Sequence, residues 1–279
     1  MNIIASTFKF LFTYRFFRKH YYGIQKHIIK AYGLFRGKTV VCKYDKDMKI
    51  KVNLDEWIQQ QVYFLGLWDE PGSNFLKKNL KRGDVFIDIG ANIGCYTLIA
   101  SKLVGEEGRV IAFEPIKEVF EKLIFNVELN KLSNVDLNRK AVYSETAVLE
   151  FFLASSENMG MSSIFHHDTE NGKTEKVEAV SLDDYFSAYG LKRADIIKID
   201  VEGSEIFALR GMKRVLKDYR PLVIMEISDE VIKSSGIPAD ELLRFMREFG
   251  YIPKGIDREG NTVSWGLKQG HTNYVFFHE

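Results

Sequence analysis

Residues 85–94, Val-Phe-Ile-Asp-Ile-Gly-Ala-Asn-Ile-Gly, join a β-branched apolar run to a glycine turn. Val85, Phe86, Ile87 and Ile89 are apolar toward both faces, as expected of a strand in a parallel sheet covered by helices on each side. Gly90 and Gly94 then allow a tight turn and a close approach to a ligand. Tyr96 to Val104 is apolar enough to continue as a helix whose first N–H groups point back toward the turn. A ligand pocket at the carboxyl end of this strand follows.

The residues of the turn select among ligands. A dinucleotide site needs Gly-x-Gly-x-x-Gly, whose middle glycine lets a pyrophosphate touch the backbone. Here the turn is Gly90-Ala91-Asn92-Ile93-Gly94, so a side chain fills that place. Asp88 adds a carboxylate that repels a phosphate and suits an ammonium or a hydroxyl. A second strand, Arg109 to Phe113, ends in Glu114-Pro115, and such an acid accepts hydrogen bonds from both hydroxyls of a ribose. An adenosine with a cationic amino-acid tail satisfies both carboxylates, and S-adenosylmethionine is that molecule.

Five blocks in this order resemble the FkbM-type methyltransferases. They are Asp88-Ile-Gly90-Ala-Asn92-Ile-Gly94, Phe113-Glu114-Pro115, Val180-Ser-Leu182-Asp183-Asp184-Tyr185, Ile197-Lys198-Ile-Asp200-Val-Glu202-Gly203-Ser-Glu205 and Arg220-Pro221 through Glu226. The resemblance runs from about Gly66 to Ile227 and departs from the family at Cys95, where an aromatic is more usual. It implies O-methylation of sugar or natural-product hydroxyls with S-adenosylmethionine. It also implies an acidic residue beside the cofactor in the turn before Pro71, for which we take Glu70, and a pair of small residues at Ser162-Ser163.

The net charge of +1 conceals an asymmetry. Residues 1–36 hold seven Lys/Arg and no acid, leaving 32 of the 39 basic residues to face all 38 acidic ones, a net of −6. That body argues against nucleic acid as the main substrate. Two cysteines, Cys42 and Cys95, provide neither a disulfide framework nor a zinc spacing, which fits a reducing, cytoplasmic setting. Lys9, Arg15, Arg18 and Lys19 interrupt every early apolar run well before ~18 residues, so neither a spanning helix nor a signal peptide is expected.

Residues 1–36 are expected to be a basic, aromatic helical arm in which Ile4, Phe8, Leu11, Phe12 and Phe16 share a face. Two readings stand: the arm lies on an anionic membrane surface, bringing the enzyme to a lipid-linked glycan, or it packs on its own domain as a lid or a contact between two copies. Residues 37–80 should lead into the core through a hairpin around Asp45-Lys46-Asp47, a helix from Asp55 to Phe64 and another from Ser73 to Leu80. Residues 81–279 should form the Rossmann-like domain, with a substrate-loop insertion at 143–180.

Within that domain Val135 to Val142 reads as the third strand, whose tip places the small Ala141 along the adenine ring. The polar stretch from Ser155 to Lys173, with Ser162, Ser163 and His166, is a candidate substrate loop; His166 and His167 are general-base candidates or merely solvated. Ser181 reads as an N-cap with Asp183 and Asp184 in the first turn, a structural use that we favour over a metal. Gly203 to Lys217 and Asp240 to Gly250 read as helices, with Met212 as packing. Tyr251 to Ile256 and Asn273 to Phe277 read as the last strands, the final one antiparallel.

Charges appear where a buried strand normally has none, in Lys198, Asp200 and Glu202, which share a face at alternate positions; Glu226 stands at a comparable depth on the next strand. Asp200 is the candidate general base, oriented by Lys198 or Glu226, with S-adenosylmethionine held by Asp88, Gly90, Asn92, Gly94 and Glu114. In a variant, Asp200, Glu202 or Glu226 binds Mg²⁺. An ordinary structural role, Lys198 satisfying a buried carboxylate, is the competing use. The expected fold is a seven-stranded, mostly parallel α/β sheet with an N-terminal extension. An NAD-dependent oxidoreductase and a non-catalytic adaptor at a membrane are the alternative functions; Asn92 and the want of a Tyr-x-x-x-Lys motif weigh against the first.

Overall fold

The N-terminal apolar residues alternate with basic ones too closely for one long helix, and the chain breaks into short pieces. In the computed structural model, which describes residues 3–155, 158–165, 172–227, 235–264, 266 and 272–278, these are α1 (Ile3–Leu11), α2 (Arg15–Lys19), α3 (Tyr21–Ile24) and a π-helical segment, Gln25–Lys30. Helix α1 stops where the Thr13 hydroxyl donates to the Phe10 carbonyl at 2.7 Å. The expected single apolar face is therefore divided: Phe12 is buried, whereas Ile4 and Phe16 are exposed. Strands β1 (Thr39–Tyr44) and β2 (Met48–Asn53) form the expected hairpin, with Tyr44 opposite Met48 across the Asp45–Asp47 turn. Helix α4 (Trp57–Leu65) follows and ends on Gly66 at φ +92°, a conformation that favours glycine. Phe64 is its anchor, with the rings of Phe12, Phe35 and Tyr63 at 5.4, 5.5 and 4.9 Å.

The chain divides into two compact units, Met1–Trp68 with Ser156–Met159, and Asp69–Ser155 with Gly160–Glu279. The arm, the hairpin and α4 thus belong to one unit, while the helix that starts at Glu70 belongs with the sheet.

The second unit continues with α5 (Glu70–Asn79), β3 (Val85–Ile89), α6 (Cys95–Val104), β4 (Arg109–Phe113), α7 (Lys117–Leu129) and β5 (Val135–Asn138). Then come β6 (Ala141–Val142), β7 (Ala147–Phe152), β8 (Thr174–Val180), α8 (Leu182–Tyr189) and β9 (Ile196–Ile199). Helices α9 (Glu205–Arg210) and α10 (Lys213–Tyr219), strand β10 (Leu222–Ile227), helix α11 (Ala239–Glu248) and strands β11 (Tyr251–Ile256), β12 (Thr262–Val263) and β13 (Thr272–His278) complete it.

Among the described residues the large sheet has eight strands in the order β12-β11-β13-β10-β9-β3-β4-β5. Strands β5, β4, β3, β9 and β10 are parallel, and β13 runs antiparallel between β10 and β11. The expected seven strands are present, and the two-residue β12 adds an eighth at the edge. Phe86, Ile87, Ile111, Phe113, Ile197 and Ile199 are fully buried, which is what helices on both faces of the sheet require.

Two local expectations are corrected. The third strand ends at Asn138, and Ala141 pairs instead with Ala179 in a separate sheet of order β6-β8-β7. Arg139 and Lys140 draw the chain there, their charges facing Glu175 and Glu178 of β8 at 3.8 and 3.4 Å. The helix expected from Gly203 to Lys217 breaks at Gly211, where any Cβ would lie 1.9 Å from the Tyr143 carbonyl oxygen. Asp183 caps the new start, its two carboxylate oxygens accepting from Arg214 N and Val215 N at 3.0 Å each. The Ser181 hydroxyl accepts from Asp184 N at 3.1 Å, as the cap reading expects.

Replacing the buried Phe64 by alanine should remove the centre of the ring cluster and cost about 3–5 kcal/mol. Urea denaturation of the full chain measures this, and a loss under about 1 kcal/mol would show that the cluster is not the core of the N-terminal unit.

Candidate active site

The chain steps outward from β3 to β4 and β5, then returns to place β9 on the other side of β3, so the strand order reverses between β3 and β9. Crevices beyond the carboxyl ends at such a reversal are where open α/β sheets bind ligands. Asp88 and Lys198 are register partners on these two strands. The turns that follow them interlock. Gly90 has φ +80°, and a Cβ there would lie 1.8 Å from the carbonyl oxygen of Asp200. Its close approach is to this chain's own backbone. At Gly94, φ +97°, a Cβ would meet Leu123 Cδ1 at 2.7 Å, and Asn92 adopts φ +52° between them.

Glu114 lies at the tip of β4 and ties the turn down. Its Oε2 accepts from Asn92 N at 2.9 Å and its Oε1 from Ile116 N at 3.0 Å. Burial outweighs these bonds and pushes its carboxyl up to about 7. Asp88 is wholly buried: one oxygen accepts from the Thr97 hydroxyl at 2.6 Å, the other has no hydrogen-bond partner, and burial raises its pKa.

Lys198 is the cation at the centre. Its ammonium donates to Asp200 Oδ2 at 2.9 Å and to the Gly90 carbonyl at 3.3 Å, and lies 5.2 Å from the Tyr96 ring centroid. Burial alone would lower its pKa, yet Asp200 and Asp88 raise it above the ordinary lysine value, so the charge persists. The Asp200 side chain is 23% exposed against 6% for Lys198, so the carboxylate is the accessible member of the pair.

Beyond β9 the chain turns through Glu202 at φ +50° and Gly203 at φ +100°. Glu205 holds this turn, its Oε1 accepting from Val201 N at 3.2 Å and Gly203 N at 3.3 Å, and burial lifts its carboxyl to about 7. The Ser163 hydroxyl donates to the Glu202 carbonyl at 2.7 Å, while Ser163 and Phe152 exchange backbone bonds of 2.8 and 3.2 Å. Burial, then the charges of Asp200 and Glu226, push the Glu202 carboxyl well above the ordinary range.

A cleft opens at these tips, with Gly90, Glu114, Ala141, Ser162, Asp200 and Glu202 on its lining and apolar walls from Phe113, Val142 and Phe151. Ser204 also faces it, and its buried hydroxyl has no hydrogen-bond partner. Ser162 lines the cavity and accepts from Ala154 N at 3.1 Å, whereas Ser163 is a fully buried tie between loops. Glu226 is near enough for its charge to act on both Lys198 and Glu202. His166 and His167 lie outside the described residues.

One expectation changes. Glu70 turns outward and pairs with Arg258 at 2.9 Å; its neighbour Asp69 is the acid that feels Lys198 and Asp200. Asp69 is held at φ +47° by Gly72 N, the Tyr96 hydroxyl and Asn273 Nδ2, the last at 2.9 Å. The turn before Pro71 signalled an acid but not which of two adjacent carboxylates points inward. Tyr96 and Asn273 had no local signal. For the metal variant, Lys198 takes Asp200 Oδ2, and among the described residues no three His, Cys, Asp or Glu side chains form a group that could hold a metal ion.

Residues 88–253, more than half of the chain, match the model of the methyltransferase FkbM domain. The hexuronic acid methyltransferase AglP of Haloferax volcanii is 28% identical over 152 residues, 54% of this chain and 59% of that protein. Methyltransferase 1 of Beauveria bassiana is 27% identical over 161 residues, 51% of this chain and 64% of its own length. The chain thus spans less than two thirds of the length of either relative. The crystal structure of an FkbM methyltransferase from Methylobacillus flagellatus aligns with a TM-score of 0.40 and 15% identity over 70% of this chain and 43% of that one. The match across the site and most of the sheet makes this chain a member of the FkbM methyltransferase domain family.

Proposed function

We propose that the protein is an S-adenosylmethionine-dependent methyltransferase acting on a hydroxyl of a sugar, glycan, glycolipid or similar natural product. One observation carries the reading: Asp69, Asp88, Glu114, Asp200, Glu202 and Glu226 all share the field of a single ammonium, Lys198. Such a surplus of carboxyl groups favours a cationic ligand and disfavours a pyrophosphate, which separates this reading from the NAD alternative.

The residues present fit the cofactor. The Glu114 carboxylate suits ribose hydroxyls, Phe113 and Val142 with Ala141 suit a flat base, and the unpartnered Ser204 hydroxyl can meet a further polar atom. When bound, the cofactor supplies an electrophilic methyl group on a sulfonium. Asp200 receives the acceptor's hydroxyl proton as the new bond forms, and Lys198 holds one oxygen of that carboxylate so that the other meets the acceptor. Glu202, whose carboxyl is pushed above the ordinary range by burial and then by Asp200 and Glu226, can hydrogen-bond the acceptor. Glu226 is near enough for its charge to help keep Lys198 protonated. The name of the Haloferax volcanii relative, a hexuronic acid methyltransferase, supports a glycan acceptor.

Asp200→Asn should bind S-adenosylhomocysteine nearly as wild type while methyl transfer to a uronic-acid-containing glycan falls roughly 10²- to 10⁴-fold. Calorimetry paired with a radiolabel transfer assay measures both, and near-normal turnover would remove Asp200 from the mechanism. A second expectation concerns pH. Glu114 must be ionised to serve a cationic nucleoside best, and its carboxyl titrates at about 7, so protons compete with the cofactor below that value. Affinity for S-adenosylmethionine should weaken roughly tenfold from pH 8 to pH 6, and Glu114→Gln should flatten the profile. An unchanged slope in that variant would show that Glu114 does not set it.

A further inference from the structure

We infer that the outer aromatic and basic face of the N-terminal unit docks on an anionic lipid bilayer. The unit's own core accounts for Phe12, Tyr21, Ile29 and Phe35, which are buried and, in the case of three rings, gathered around Phe64. A second set lies outside that core: Ile4, Phe10, Tyr14, Phe16, Tyr22 and Tyr32 are each more than half exposed. Phe10 meets Tyr14 edge-on at 5.4 Å, and Phe16 lies 4.6 Å from His20, so exposed rings sit together in small groups. Apolar side chains concentrated in this way mark an interaction surface.

The charge identifies the occupant. Residues 1–36 contain seven Lys/Arg and no acid, and Arg15, Lys19, Lys26 and Arg36 are exposed and interleave with these rings along the sequence. Lys9 lies 4.5 Å from the Tyr63 ring centroid and Arg18 donates to the Leu65 carbonyl at 3.2 Å, so two further cations fix the arm to its own unit. Aromatic rings seated at headgroup depth beside cations paired with anionic lipids are the chemistry of an interfacial anchor. A second copy would bring the same positive charge against itself. Nucleic acid would use the rings for stacking but leave the apolar surface of Ile4 and Ile28 in water. No described helix is long and apolar enough to cross a membrane, so the contact is peripheral.

Vesicle co-sedimentation of the full chain tests this, with phosphatidylcholine vesicles against vesicles that also contain phosphatidylserine. Binding should require the anionic lipid and fall at high salt. The variant R15Q/K19Q/K26Q should lower partitioning roughly 100-fold, about fivefold per residue. Phe10→Ser with Phe16→Ser should lower it as well, with an unchanged circular dichroism melt because neither ring is buried; Phe16→Ala alone serves if that pair unfolds. No binding at low salt, or equal binding to neutral vesicles, overturns the inference. Dimerisation or oligonucleotide binding lost in the same variants, without vesicle binding, overturns it in favour of those partners. None of these readouts uses methyl transfer.

Discussion

One buried ammonium makes the acidic mouth of this sheet possible. Without Lys198, Asp88, whose pKa burial already raises, would lose the nearby cation and Asp200 its fixed partner. With it, Asp200 has a fixed partner. Burying a charge is costly unless it is paired and hydrogen-bonded, and Lys198 meets that condition through Asp200, the Gly90 carbonyl and the face of Tyr96. The pair is therefore both the structural device that satisfies buried charge and the device that orients a reactive carboxylate.

The backbone around it is strained in a concerted way. Asn92 and Glu202 hold left-handed conformations that ordinary side chains avoid, and each is over-determined by neighbours. Glu114 fixes the Asn92 amide, while Glu205 and Ser163 bind the two sides of the Glu202 turn. Gly90 lets the two turns touch, since no Cβ fits between it and the Asp200 carbonyl. Acids of the loops thus do conformational work, and Glu114 also shares the cavity wall with Asp200 and Glu202.

The N-terminal unit divides its aromatic residues between two tasks. Both readings of the arm had pictured one continuous face, and the helix break at Leu11 separates them: rings before and after the break turn inward onto Phe64, while their neighbours turn outward among arginines and lysines. A composition that looked like one amphipathic helix is therefore a packed core with an exposed rim.

By itself the sequence determined the parallel sheet, the order of its motifs, the Gly90–Gly94 turn, the Ser181 cap and the approach of Asp200 to Lys198. Those follow from burial at periods of two and 3.6 and from residues a few positions apart. Only the tertiary structure decided that Asp69 rather than Glu70 points inward, because Asn273, 204 positions away, and Tyr96 hold it there while Arg258 draws Glu70 out. It likewise moved Ala141 to a second sheet and broke the helix at Gly211, where Tyr143 leaves no room for a side chain. Local patterning sets which faces are buried, but the partner a side chain finds depends on segments distant in the chain, and that choice leaves no periodic trace.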